Sequence, residues 1–331
     1  MARRKADRSV SDIISKINSE HGDDTIRSLN DNNYDIERIP TGIMSLDHIL
    51  SGGLPRGKMA IAWGIEGGGK SATAIQFAGQ AQKFGTVVYI DFENALDREK
   101  AENSGVNLDD LLISQPPSGE KTFEVIEDLV QTNEISAIIV DSVAAMATEA
   151  EIAGDYGDAH VAQLARLLSS SLKKLNTLMN DTHSQTILFF INQQRENVGG
   201  YGPMPQKTTP GGKALRYYSS TTMEVARTGN IKQGEEIIGQ TSQVTLKKSR
   251  FSPPFQKASF DIYFDSGISN ESTILDLAVK MDLVKKATGG HYADAETGEK
   301  IGHGKPKAIA YMKENPEYSQ KLAELVLTTG R

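Results

Sequence analysis

The sequence predicts an α/β protein with a mostly parallel sheet flanked by helices. A short N-terminal helix precedes it and a small α+β C-terminal domain follows. Three observations carry this. Five strand-sized apolar runs between residues 59 and 192 alternate with helical stretches, which is the pattern of strands covered on both faces. Three further strand-like runs follow with no helix between them, so they are expected to extend the sheet antiparallel. After about residue 270 the texture changes to a helix, a glycine-rich hairpin and two more helices.

Residues 11–30 read as an amphipathic helix with Ile13, Ile14 and Ile17 on one side and, past a break at Gly22, Ile26 and Leu29. The expected strands are 59–63, 86–91, 111–114, 137–141, 186–192, 222–226, 243–247 and 259–264. Residues 160–180 carry apolar side chains at 161, 164, 165, 168, 172, 175 and 179, a helical spacing. The last region reads as a helix over 271–284, a hairpin around 289–302 and two helices divided at Asn315-Pro316. The expected domains are therefore 1–37, 38–269 and 270–331. One stretch resists this pattern. INQQRENVGGYGPMPQKTTPGGK, residues 191–213, leaves a strand and runs on without apolar periodicity. A loop of that length in a compact domain is functional or disordered.

Composition narrows the chemistry. The chain has no cysteine, which excludes disulfides, thiolate metal sites and thiol nucleophiles and fits a reducing interior. Apolar runs such as TILFFI are too short to span a membrane. The basic start, MARRKADRSV, has no apolar run after it and is not a secretory signal, so a cytoplasmic location is expected. The net charge of −7 argues against a nucleic-acid partner at face value. Residues 195–250 run the other way, with nine Lys/Arg against four Glu, a net +5. The region after 270 is balanced, nine basic against nine acidic.

GIEGGGKS, residues 64–71, fits G-x-x-x-x-G-K-[ST] after a strand and before a helix, the setting that makes it a phosphate-binding loop. Glycines let several backbone N–H groups turn toward one phosphate, and the helix N-terminus adds its positive end. Lys70 is expected at the β/γ-phosphates and the Ser71 hydroxyl on Mg²⁺. Asp141 ends the apolar run IIVD, where a carboxylate holds the Mg²⁺ shell. Asp91 and Glu93 lie two apart at the end of YIDFE and are expected to point the same way. Glu93 is the candidate to orient and deprotonate water; a helix-capping Asp91 and a solvated Glu93 are the plainer alternative. Gln193 in INQQR ends the fifth strand at the carboxyl edge, where open α/β sheets bind ligands. A glutamine there reaches a γ-phosphate, and the long loop starts one residue later.

Together these residues resemble the bacterial and phage RecA-type DNA recombinases. The match runs from the N-terminal helix to about residue 325 and includes PTGIMSLDHILSGGLPRGK, YIDFENALD, SQPPSGE, VDSVAAM, AEIAGDYGDAH, FINQQR, TTPGGKALRYY and EKIGHGK. The resemblance implies a RecA-like phosphate-loop ATPase core. ATP contacts are implied along Gly64, Ile65, Glu66, Gly67, Gly68, Gly69, Lys70, Ser71 and Ala72, and from Asp97, Lys100 and Asp141, with Mg²⁺ on Ser71 and Asp141. Glu93 corresponds to the catalytic glutamate and Gln193 to the switch glutamine. Lys248 and Arg250 correspond to two cations that reach the ATP of the neighbouring subunit. Segments 151–160 and 194–211 correspond to the two DNA-binding loops. DNA contacts are implied from Arg166, Arg195, Val198, Gly199, Gly200, Tyr201, Lys207, Thr208, Thr209, Gly211, Gly212 and Lys213. Tyr217 and the N-terminal helix correspond to subunit-interface elements.

The implied activity is a DNA-dependent ATPase that forms helical filaments on single-stranded DNA and catalyses homologous pairing and strand exchange with duplex. An open head-to-tail contact makes such a filament. Its inward positive window, including Arg195, Lys207 and Arg216, then holds DNA phosphates largely without regard to sequence. The alternatives are a ring-forming DNA helicase on the same core, and a DNA scaffold that uses ATP only to assemble. The chain also departs from the family. Arg250 stands where a lysine is usual, and Lys100 or a neighbour in DREKA stands where a tyrosine stacks on adenine. The second loop is one residue longer, with Tyr201 its only aromatic. No acidic tail follows LTTGR, so duplex is expected to be engaged more readily.

Overall fold

A computed structural model describes residues 9–22, 25–26, 36–154, 163–196, 207–208 and 210–329. They fall in two compact units, 1–37 and 38–331. In the first, α1 (Val10–His21) is started by a capping box. The Ser9 hydroxyl accepts the Asp12 N–H at 3.1 Å, and the Asp12 carboxylate accepts the Ser9 N–H at 3.1 Å. The helix ends well short of the expected residue 30. Gly22 takes φ 107°, a conformation that an L side chain resists, and the helix stops there.

The second unit opens with β1 (Arg38–Ile39) and β2 (Leu54–Pro55), an antiparallel pair around α2 (Met44–Ile49). The buried Asp47 carboxylate ties the connecting turn, accepting the Thr41 N–H and hydroxyl and the Gly42 N–H. The alternating region follows as β3 (Met59–Gly64), α3 (Lys70–Ala81), β4 (Thr86–Asp91), α4 (Arg98–Asn103), β5 (Leu111–Ser114) and α5 (Gly119–Val130). It continues as β6 (Ile135–Asp141), α6 (Glu149–Ala153), α7 (Gln163–Asp181) and β7 (Ile187–Gln193). A two-residue ladder, β8 (Arg195–Glu196) with β9 (Lys207–Thr208), follows directly. Then come α8 (Ala214–Tyr218), β10 (Thr221–Gln233), β11 (Glu236–Ser249), β12 (Lys257–Tyr263) and β13 (Gly267–Ser269).

Nine of these strands form one sheet in the order β13-β12-β11-β10-β3-β7-β6-β4-β5. Successive side chains on a strand point to opposite faces, and here both faces are apolar. Ala60, Ala62, Tyr89, Ile139 and Phe189 pack with Ala74 and Phe77 of α3. Ile61, Val88, Ile138, Leu188 and Phe190 pack with Phe123 and Ile126 of α5 and Leu168, Leu172 and Leu175 of α7. The neighbouring pair Phe189 and Phe190 thus anchors two different layers. Each such side chain contributes roughly 1.5–3 kcal/mol on burial.

One expectation is corrected. β10 pairs parallel to β3, and the antiparallel part begins only at β10–β11. The chain re-enters through α8 beside the start of β3, where the Ser220 N–H donates to the Met59 carbonyl at 2.8 Å. Both strands therefore begin at the same edge.

The end of the chain builds α9 (Asn270–Lys280), β14 (Val284–Lys286), β15 (His291–Asp294), β16 (Lys300–His303), α10 (Lys305–Glu314) and α11 (Pro316–Thr329). The expected hairpin is a three-stranded antiparallel sheet. The expected helix over 271–284 stops at Lys280, before Asp282, which takes φ 59°. Leu275, Val284, Tyr292, Met312 and Val326 share a separate small core. Asp261 of β12 links it to the large sheet, accepting the Ser272 hydroxyl at 2.6 Å and the Lys305 ammonium at 3.0 Å. No described helix is long and apolar enough to cross a membrane.

Candidate functional site

The loop from 64 to 69 joins the end of β3 to the start of α3. Gly69 sits in the left-handed region at φ 99°, and a Cβ there would fall 2.7 Å from Ile262 Cδ1 and 2.8 Å from Ser242 Oγ. Only glycine serves there. The first turn of α3 leaves N–H groups free for an anion. Lys70 is buried, and its ammonium donates to the Ile65 carbonyl at 2.8 Å. Burial lowers its pKa, opposed by the charges of Asp141, Glu93 and Glu66.

A cavity of about 360 Å³ opens over this loop. Glu66, Gly67, Gly69, Lys70, Ser71 and Ala72 line its floor, and Glu93, Asp97, Lys100, Asp141 and Gln193 its sides. Gly64, Ile65 and Gly68 shape the loop without lining the cavity. The other wall is not legible in the sequence: Gln240, Ile262, Tyr263, Phe264, Gly267 and Ile268, from β11 to β13. Ile262, Tyr263, Phe264 and Ile268 make this wall largely apolar, a surface of the kind that suits a flat base. Gln240 also donates to the Gly67 carbonyl at 2.9 Å and so braces the loop from a strand 173 residues away.

The hard oxygen donors suited to Mg²⁺ converge on Asp141. It ends β6, is buried, and accepts hydrogen bonds from the Tyr89 hydroxyl at 2.7 Å and from Ser71. Burial raises its pKa, while those two hydrogen bonds pull it down. Buried lysine, hydroxyl–carboxylate pair and glycine cradle together fit ATP with Mg²⁺. Tyr89 escapes a reading of the sequence because its hydroxyl acts from one β-strand onto the next. Tyr89→Phe is expected to raise the Mg²⁺ concentration for half-maximal hydrolysis about tenfold, with kcat at saturating Mg²⁺ little changed. A magnesium titration of the variant matching that of the unaltered protein would remove Tyr89 from this role.

Glu93 and Asp91 part company, contrary to the expectation. The Asp91 carboxylate turns onto its own loop and accepts the N–H groups of Glu93, Ala95 and Leu96 at 3.2–3.4 Å. The strand ends at Asp91, and with it the period-two rule that would align the pair. Glu93 alone reaches the cavity. Its Oε1 accepts the Ser142 hydroxyl at 2.6 Å and the Gln193 side-chain amide at 3.4 Å. Asp97 also caps α4, accepting the Lys100 N–H at 3.1 Å.

Gln193 is the last residue of β7, and the next N–H, that of Gln194, donates to the Gly64 carbonyl at 2.9 Å. Beyond it, Arg195 pairs with Thr208 and Glu196 with Lys207 across β8 and β9, so the foot of the long loop is a short ladder. Val198, Gly199, Gly200, Tyr201 and Thr209 lie outside the described residues, as do 155–160 of the first implied loop. Arg166, Gly212 and Lys213 are exposed, and Gly211 is half-buried against Leu168. Asn192 donates to the Pro210 carbonyl at 3.0 Å and closes the loop from its other end.

Lys248 and Arg250 do not line the cavity of their own chain. The Lys248 ammonium donates to the carbonyls of Arg216, Tyr217 and Ser219 at 2.6–3.0 Å and caps the end of α8. Burial lowers its pKa, as do the charges of Arg250 and Arg216. Arg250 is exposed beside Lys58, Asn176 and Asn180, and Tyr217 is 71 % exposed.

Known proteins match the chain over nearly its whole length. The RecA N-terminal domain family matches residues 8–269, and the RecA C-terminal domain family matches residues 272–329. The chain is 42 % identical to Protein RecA of Caldanaerobacter subterraneus subsp. tengcongensis, over 93 % of this chain and 90 % of that one. It is 40 % identical to Protein RecA of Legionella pneumophila, over 97 % and 92 %. With Protein RecA of Bdellovibrio bacteriovorus the identity is 42 %, over 96 % and 84 %. The chain belongs to the RecA family: a DNA-dependent ATPase and recombinase of DNA recombination and repair, which uses ATP with Mg²⁺, binds single- and double-stranded DNA and assembles into homo-oligomeric filaments.

Proposed function

We propose that Glu93 activates the attacking water and that Gln193 carries the state of the nucleotide into the long loop. One contact supports this above the rest: the Gln193 amide donates to the Glu93 carboxylate at 3.4 Å, one residue before the loop begins. A γ-phosphate in the cavity competes for that amide, and movement of Gln193 is passed through the backbone to the β8–β9 ladder. Lys70 and the first-turn N–H groups of α3 hold the phosphates. Ser71 and Asp141 hold Mg²⁺, which when bound neutralises phosphate charge. Lys248 and Arg250 act on the site of the next subunit. The division of labour follows three segments: 1–37 for polymerisation, 38–269 for ATP and DNA, and 270–331 as the small C-terminal domain. The protein works in the cytoplasm, in keeping with a chain free of cysteine.

The DNA surface is the positive window 195–250, including Arg195, Lys207, Lys213 and Arg216. Arg195→Ala, Lys207→Ala and Arg216→Ala are each expected to weaken single-strand binding. Each should also reduce the salt slope of log K by about 0.7 for every phosphate that the side chain neutralises. Fluorescence anisotropy with an oligonucleotide across a salt series measures both. Three variants that bind with unaltered affinity and slope would overturn the inward positive surface.

A further inference from the structure

The small C-terminal sheet holds a pair of side chains that nothing in ATP or DNA chemistry accounts for. β15 and β16 run antiparallel, and their register sets His291 directly opposite His303. Both are exposed, and the ring centres lie 4.4 Å apart at an interplanar angle of 45°. We infer that His291 and His303 chelate a divalent transition-metal ion of the Zn²⁺, Ni²⁺ or Cu²⁺ class.

The tautomer favours this. His303 Nε2 lies 2.9 Å from the Gly289 carbonyl, which only accepts, so Nε2 carries the proton. The lone pair is then on Nδ1. A ligating imidazole ordinarily donates its second nitrogen to a carbonyl or carboxylate, as this ring does. The reach is adequate as well. Two metal–nitrogen bonds of about 2.0–2.1 Å span up to about 4 Å, comparable to the 4.4 Å between the ring centres.

The frame under the pair is held by its own hydrogen bonds. The Ala287 N–H donates to the His291 carbonyl at 2.9 Å, and the Gly304 N–H to the Gly290 carbonyl at 2.8 Å. Tyr292, next to His291, is buried in the small core. The ion class follows from the donors. Imidazole suits zinc, nickel and copper, whereas Mg²⁺ takes oxygen, so the pair does not compete for the magnesium of the nucleotide. Among the described residues no group of three or more His, Cys, Asp or Glu is placed to hold a metal ion. Water therefore completes the coordination, and the ion exchanges readily. Bound, it ties β15 to β16 and stabilises the small sheet by mass action.

The test is calorimetric titration of Zn²⁺ into the untagged full chain, without nucleotide and with Mg²⁺ in excess. About one equivalent is expected to bind, and His291→Gln and His303→Gln are each expected to weaken binding at least tenfold. Without zinc, thermal melts of both variants should match that of the unaltered protein; zinc should raise the melting temperature of the unaltered protein alone. No uptake, or uptake that survives in the double variant, would overturn the site.

Discussion

Glu93→Gln is expected to lower DNA-dependent ATP turnover about 10²–10⁴-fold, the range that a positioned general base supplies. The substitution keeps the shape and a hydrogen-bonding oxygen for Ser142, which donates to Glu93 at 2.6 Å. It removes the only carboxylate that lines the cavity from the 91–97 loop apart from Asp97, which is engaged at the start of α4. Nucleotide affinity is expected to rest on other groups, namely Lys70, Ser71 and the first turn of α3. ATP should therefore bind as before, and filaments on single-stranded DNA should form and persist because the nucleotide is not consumed. Steady-state hydrolysis, nucleotide titration and electron microscopy of one sample check all three. Turnover within tenfold of the unaltered protein would return Glu93 to the status of a solvated side chain and revive a water activated elsewhere.

Mixing two inactive variants should restore activity. Arg250→Ala is expected to lose about 10³-fold or more in turnover, as transition-state cations supplied from a neighbour do. Neither Arg250 nor Lys248 lines the cavity of its own chain, and Arg250 is exposed. In a head-to-tail filament, each site then combines Glu93 from one subunit with Arg250 from the next. An Arg250→Ala subunit whose neighbour is Glu93→Gln has both intact groups. Random one-to-one mixing places about a quarter of the sites in that arrangement, so hydrolysis should reappear well above that of either variant alone. Arg250→Ala is cleaner than a Lys248 variant, because Lys248 also satisfies three carbonyls at the end of α8. A mixture as inactive as its parts would show that Arg250 does not act between subunits.

Much of this site is legible without the fold. The phosphate loop is a local matter: glycines at fixed spacing, a strand before and a helix after, and a lysine on the first turn. Asp141 and Gln193 are legible as polar residues ending apolar strands. Ser142 follows Asp141 directly in the sequence, but its hold on Glu93, 49 residues away, shows only in the fold. Asp91 defeats it, because alternation along a strand says nothing of the residues past the strand's last position. The break read at Gly22 within 11–30 is where the helix ends: apolar spacing continues past it, but Gly22 itself leaves helical conformation at φ 107°.

By itself the sequence determined much of what depends on near neighbours: alternating layers, the phosphate cradle, the strand-ending Asp141 and the long loop with Gln193 at its root. Those features follow from periods of two and 3.6 residues and from the conformational freedom of glycine. The tertiary structure alone decided who faces whom. The strand order β13-β12-β11-β10-β3 brings Ile262, Tyr263 and Gln240 to a loop far earlier in the chain. It sets the Tyr89 hydroxyl on Asp141, and it turns Lys248 away from the cavity of its own chain toward α8. The reason is physical. Sheet order is chosen by the burial of whole faces and by long-range strand pairing, and such pairing leaves no periodic mark in either partner.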